Sequence, residues 1–247
     1  MENLGKVPAL TLGFWIIKIA ATTLGETGGD AVSMSLNLGY LVSTIIFAAI
    51  FLAAVSLQIK AKTFHPITYW ITIIATTTVG TTLADFADRS LGIGYTGGST
   101  LLLCVLLGSL LVWHRTMGSI SISSVNNSKS EIFYWMTIMF SQTLGTALGD
   151  WTADSMELGY AGAAAIFGGL LLILVGLYLW TKVSRVFLFW AAFILTRPLG
   201  AVVGDFLDKP VDHGGLALSR FSASGVLLAF ILICIFSFPQ RAAKSAH

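Results

Sequence analysis

Four aspartates set the chemistry open to this 247-residue chain. Asp30, Asp85, Asp150 and Asp205 each stand five residues after a glycine and fifteen after a tryptophan. The tryptophans are Trp15, Trp70, Trp135 and Trp190; the glycines are Gly25, Gly80, Gly145 and Gly200. A carboxylate inside an apolar run is costly unless it faces water, protein donors or a cation. Carboxylates beside threonine hydroxyls are hard oxygen ligands, suited to Mg²⁺, Mn²⁺ or Ca²⁺. Four acids held close together also suit proton exchange, because they cannot all ionise freely. The plainer reading is that each Asp caps backbone donors at the outer end of its helix.

Three residues break the pattern. Glu26 stands where the other copies have Thr81, Thr146 and Ala201. Arg197, followed by Pro198, replaces Thr22, Thr77 and Gln142. Lys18 replaces Ile73, Ile138 and Phe193. Glu26 and Asp30 are one turn apart on one helical face and could hold a cation together. They are the candidate metal ligands, with Asp85, Asp150 and Asp205 as further cation or proton sites and Thr81, Thr146, Arg197 and Lys18 in support. The plainer readings are a structural Glu26–Arg197 pair, which requires the first and fourth copies to adjoin, and a Lys18 that snorkels to the inner surface.

The elements that position these residues follow from composition and repetition. The chain is 55% hydrophobic and only 11% charged, with mean hydropathy +0.84; soluble domains are typically about 25% charged. These values, with apolar runs of spanning length, predict an all-α integral membrane protein. Eight transmembrane helices are expected near 8–29, 38–59, 66–86, 96–114, 131–151, 159–181, 185–206 and 215–238. The first run is span-length, so it is read as a helix and not as a removable leader. The copies begin 55, 65 and 55 residues apart. Each holds two spans, so all four point the same way. Parallel repeats relate by a pseudo-twofold or pseudo-fourfold axis along the membrane normal.

The expected division is 1–115 for repeats 1 and 2, 116–130 for a Ser/Asn-rich linker, and 131–247 for repeats 3 and 4. The odd spans carry the polar residues and are expected to line the axis. The plainer even spans are expected to face lipid. In each odd span, Trp to Asp is about 22 Å of helix. The tryptophans read as an aromatic belt with packing. The glycines read as close helix contacts, or else as weak points where a kink exposes carbonyls. Cys104 and Cys234 read as reduced packing residues.

Lys6, Lys60, Lys62, Arg115, Lys129, Lys182, Arg185, Arg241 and Lys244 fall on one side of the predicted spans, while the opposite hairpins hold only Arg89 and Lys209. The positive-inside rule puts both termini in the cytoplasm. Glu2 and Glu131 share the basic side. Asp88, Asp154, Glu157, Asp208, Asp212 and His213 join the four aspartates outside, as a solvated acidic surface or a funnel that concentrates cations.

The recurring Trp-Gly-Asp pattern over two spans resembles a bacterial membrane-protein family built from four tandem copies of a two-helix repeat of unknown function. The resemblance covers nearly all of the chain and implies the fold and an inner-membrane location, but no activity. Glu26-Thr27-Gly28-Gly29-Asp30 is also similar, with one residue inserted, to the Glu-x-Gly-Asp element of calcium/manganese-type cation and proton exchangers. No phosphate-binding loop, His/Cys metal cluster or serine-nucleophile motif is present, which argues against an ATP-driven pump or a soluble-type hydrolase; no catalytic motif is recognised. The expected function is a transporter or channel for a small cation, divalent for preference. The alternatives are a non-transporting scaffold or binding subunit, and an intramembrane enzyme or carrier of an organic solute. The expected partners are the lipid bilayer and a small cation or proton, with a homo-oligomer open and nucleic acid excluded.

Overall fold

The computed structural model describes residues 5–156 and 158–243. Glu2, Glu157 and Lys244, which enter the charge distribution above, lie outside the described residues. Among the described residues, eight long helices account for most of the structure: α1 Leu12–Asp30, α2 Gly39–Lys60, α3 Pro66–Asp85, α4 Tyr95–Met117, α5 Ser128–Asp150, α6 Gly159–Trp180, α7 Arg185–Asp208 and α8 Arg220–Ser237. Several begin at legible signals. Thr11 accepts from the Phe14 N–H at α1, Asn127 and Ser130 cap each other at α5, and Pro66 opens α3. Each satisfies or removes a donor that the first turn leaves free. In the first three repeats a π-helical turn follows the Asp, over Ala31–Ser35, Phe86–Ser90 and Trp151–Ser155. In the fourth, α7 runs on to Asp208.

The odd helices form a closed ring: α1 packs on α3, α3 on α5, α5 on α7, and α7 back on α1. Each even helix packs outside the odd helix of the next repeat: α2 on α3, α4 on α5, α6 on α7, and α8 closes on α1. The repeats therefore interlock, and the ring closes through the two chain ends.

Two contacts recur at every junction and account for the repeated Trp and Gly. The aromatic residue before each Trp meets the Trp of the next repeat. Phe14 lies 5.5 Å from Trp70, Tyr69 5.6 Å from Trp135, Tyr134 6.3 Å from Trp190, and Phe189 6.2 Å from Trp15. Trp70, Trp135 and Trp190 are buried and Trp15 half-buried. They are ring-closing core residues more than an interfacial belt, because each indole is covered by the neighbouring repeat. Each repeat Gly makes room for one side chain of the next. A Cβ at Gly25 would overlap Thr77, at Gly80 Gln142, at Gly145 Arg197, and at Gly200 Thr22. Close contact, not a kink, is what these glycines serve.

The even helices turn apolar side chains outward, among them Leu41, Ile45, Leu52, Leu107, Leu172, Ile173 and Ile233. Cys104 is exposed there too, contrary to its reading as a packing residue, while Cys234 is buried; both are free. Among the described residues, six helices are long and apolar enough to cross a membrane: α2, α3 with its π-helical turn, α4, α6, α7 and α8. The two expected spans outside this set are α1 and α5. They carry Lys18, Glu26 and Asp30, and Lys129, Glu131 and Asp150. Lys129 is exposed at the start of α5, while the other five are turned inward and covered by partner segments.

At the aromatic end, residues 5–9 pair antiparallel with 241–243. Gly5 N–H donates to Ala243 O at 2.9 Å, Ala243 N–H to Val7 O at 2.8 Å, and Ala9 N–H to Arg241 O at 2.8 Å. Val7, Val125 and Ala243 join the aromatic core, and Lys6 Nζ lies 2.7 Å from the Glu131 carboxylate. This pairing holds the chain extended to residue 9, so α1 starts later than the expected 8. At the other end α8 starts at Arg220 instead of 215. Arg220 therefore joins Arg89 and Lys209 as a third basic residue on the acidic side.

Candidate functional site

On α1, positions 14, 18, 22, 26 and 30 share one face by their four-residue spacing, and the equivalent positions of α3, α5 and α7 do likewise. The ring interior is thus a stack of four-residue layers, every member of which is buried. From the aromatic end, the first layer is Phe14, Tyr69, Tyr134 and Phe189, where the two tyrosine hydroxyls hydrogen-bond at 2.7 Å. The second is Lys18, Ile73, Ile138 and Phe193. The third is Thr22, Thr77, Gln142 and Arg197. The fourth is Glu26, Thr81, Thr146 and Ala201, and the last is Asp30, Asp85, Asp150 and Asp205.

The aspartates are bridged in pairs. Arg89 reaches Asp85 at 2.8 Å and Asp150 at 3.1 Å. Lys209 reaches Asp30 at 2.6 Å and Asp205 at 3.1 Å. Each cation sits one turn beyond the Asp of its own helix and crosses to the next repeat, so the outer layer has twofold symmetry within a fourfold fold. Sequence reasoning read Arg89 and Lys209 only as topology markers. The signal for their role was their i,i+4 position after Asp85 and Asp205, together with the shared Asp-Phe-x-Asp-basic run. The reading of the aspartates as plain helix caps gives way to these ion pairs.

Asp88 and Asp208 are buried, not a solvated surface. Asp88 packs against Gly98, where a Cβ would overlap its carboxylate. Asp208 accepts from Arg220 Nε at 3.2 Å. Asp154 faces the Tyr95 hydroxyl at 3.4 Å, and Asp212 and His213 are exposed.

The middle of the stack has no symmetry. Arg197 Nη2 donates to Glu26 Oε2 at 2.9 Å and to the hydroxyls of Thr81 and Thr146. One guanidinium from α7 thus touches α1, α3 and α5, which places it across the axis. Thr81 also donates to Glu26 Oε2 at 3.2 Å. The first and fourth repeats adjoin, and the Glu26–Arg197 pair forms. Lys18 does not snorkel outward. Its Nζ donates to Thr196 Oγ1 at 2.8 Å and to Phe193 O at 3.2 Å, and it lies 3.8 Å from the centre of the Phe193 ring.

Glu26, Asp30 and Asp85 each offer a carboxylate oxygen, and these oxygens lie within 4.8 Å of one another. Asp30, Asp205 and Asp208 converge in the same way. Asp30 Oδ1 is buried with no hydrogen-bond partner among the described residues. The first cluster contains the expected Glu26–Asp30 pair and adds Asp85 from the adjoining repeat. Asp150 lies outside both clusters, on the far side of Arg89. Three carboxylates with Thr81 nearby make a donor set of hard oxygens, which fits Mg²⁺, Mn²⁺ or Ca²⁺.

No curated protein and no solved structure matches the chain. A family model described as Repeat of Unknown Function (DUF347) matches it four times, over residues 13–64, 68–119, 133–184 and 188–238. Each match spans one odd helix, with its Trp, Gly and Asp, and the even helix that follows. With four tandem copies over most of its length, the chain belongs to the Repeat of Unknown Function (DUF347) family.

Proposed function

We propose that the protein is an eight-helix integral membrane protein of a bacterial inner membrane, and that it carries a small cation or proton through the acidic layers of its ring. The apolar outer surfaces of the even helices and the burial of polar side chains inside the ring support the membrane reading, since polar surface must avoid hydrocarbon. The Lys and Arg at the aromatic end support a cytoplasmic position for that end and for both termini. The observation that carries the function is the convergence of Glu26, Asp30 and Asp85, each already facing a basic residue of the protein itself. Arg197, Lys209 and Arg89 are tethered cations that an incoming ion or proton must displace or relieve.

Arg197 across the axis and the aromatic layer below it argue for a carrier over a channel. An on-axis guanidinium repels cations, so passage requires the Arg197–Glu26 contact to open. A second reading, a non-transporting scaffold, is favoured by the same pairs, because a fully compensated ion network can be purely structural.

Thermal melting of the purified protein with MnCl₂, MgCl₂ or CaCl₂ separates the two readings. A ligand that binds only the folded state raises its stability by mass action. At least one of these salts is expected to raise Tm in the wild type, with the rise lost in the neutral-pair variant Glu26→Gln/Arg197→Met. Melting that ignores all three ions in both proteins would reject a carrier of these divalent ions and leave the scaffold and a proton carrier, which proton flux tells apart.

A further inference from the structure

We propose that the layer of Arg197 and Gln142 is a binding site for a small oxyanion, of the carboxylate, nitrate or bicarbonate kind. Arg197 spends Nη2 on Glu26, Thr81 and Thr146, but its Nε and Nη1 are buried with no acceptor among the described residues. Gln142, in the same layer on the adjoining helix α5, is wholly buried with neither amide atom partnered. Thr146, one turn on from Gln142 on α5, accepts from Arg197 Nη2 and donates to the Gln142 backbone carbonyl at 3.5 Å, so the guanidinium lies against the helix that carries Gln142. Buried charged donors without acceptors are rare and costly. The same layer holds an unpartnered amide that can donate to an anion as well.

Charge selects an anion over water. Lys18 contacts Phe193 and Thr196, the residue before Arg197, and has no carboxylate partner among the described residues. Among the described residues Arg197 meets one carboxylate, Glu26, and Lys18 meets none. Glu26 lies on the side of the guanidinium that faces the acidic layers, which leaves the aromatic-facing side uncompensated. The bound group would be small, since close-packed threonines and glycines surround the layer. A neighbouring cation cluster on one side and an anion layer on the other would also couple the two ions. Each bound charge lowers the electrostatic cost of the other in a medium that screens poorly.

The test uses the full chain purified in detergent, melted in sodium formate, sodium nitrate or sodium chloride at one pH, sodium concentration and ionic strength. Formate or nitrate is expected to raise Tm by about 2–4 °C over chloride. Gln142→Glu supplies the missing negative group from the protein. It is expected to melt above the wild type in chloride and to lose the response to formate and nitrate. Gln142→Leu, which keeps the bulk and removes the donor, is expected to lose the response alone. Equal melting of the wild type in all three anions, a response kept in Gln142→Leu, or a Gln142→Glu protein that melts lower or fails to fold would each overturn the proposal. Sodium is constant throughout, so the outcome is independent of whether Mn²⁺, Mg²⁺ or Ca²⁺ binds the acidic cluster.

Discussion

Replacing Arg197 with methionine is expected to destabilise the protein by about 3–5 kcal/mol, the cost of leaving a buried carboxylate without its counter-ion. Glu26 is 2% exposed and Arg197 fully buried, so water cannot substitute for the lost pair. Thr81 and Thr146 lose their guanidinium partner at the same time. Adding Glu26→Gln to the same protein removes the orphaned charge and is expected to recover most of the loss. The two effects are therefore strongly non-additive. Melting or denaturation midpoints of the wild type, both single variants and the double variant read this out. An Arg197→Met protein as stable as the wild type would show that Glu26 is neutral or otherwise satisfied.

Lys209→Met is expected to show the second large effect, again about 3–5 kcal/mol, because Asp30 and Asp205 lose the ammonium that lies 2.6 and 3.1 Å away. Arg220 Nε, 3.9 Å from Asp30, compensates only in part. This variant also separates structure from binding. Asp30, Asp205 and Asp208 still converge within 4.8 Å, and removing the tethered ammonium opens their oxygens to a free cation. Mn²⁺ or Ca²⁺ is expected to recover about 2.7 kcal/mol when present at a hundredfold excess over its dissociation constant. Arg89→Met should mirror the loss through Asp85 and Asp150. A Lys209→Met protein that melts like the wild type, with no response to divalent ions, would remove Lys209 from the account.

Much of this arrangement was legible in the sequence because repetition exposes it. The Trp, Gly and Asp positions align without gaps, and one residue out of pattern in each layer marked Lys18, Arg197 and Glu26 as special. The Glu26–Arg197 pair followed from one requirement, that the first and fourth repeats adjoin. Other features depend on partners that periodicity does not name. Nothing along the chain says that α2 packs on α3 of the next repeat, or that α8 closes on α1. The glycines were legible as close contacts and the tryptophans as partly packing residues, but that each meets the next repeat was hidden for that reason. Hydropathy placed Asp88 and Asp208 in surface hairpins, since a window cannot see that Gly98 and Arg220 come to cover them. It placed the start of the first span too early because the pairing of residues 5–9 with 241–243 is a contact between opposite chain ends. The bridging by Arg89 and Lys209 was readable from i,i+4 spacing within each helix. Its second half, the reach to Asp150 and Asp30, required the ring.

The most direct test of the central claim, that the buried carboxylates carry an ion, is flux in proteoliposomes. Vesicles holding the purified protein and a pH- or metal-sensitive dye are given an inward gradient of H⁺, Mn²⁺, Mg²⁺ or Ca²⁺. The wild type is expected to pass at least one of these ions faster than empty vesicles. The variant Glu26→Gln/Arg197→Met, which keeps the core neutral and folded, is expected to be slower by roughly tenfold or more, the effect of about 1.4 kcal/mol on a barrier. Flux no greater than that of empty vesicles for all four ions, or equal flux in wild type and variant, would contradict the claim.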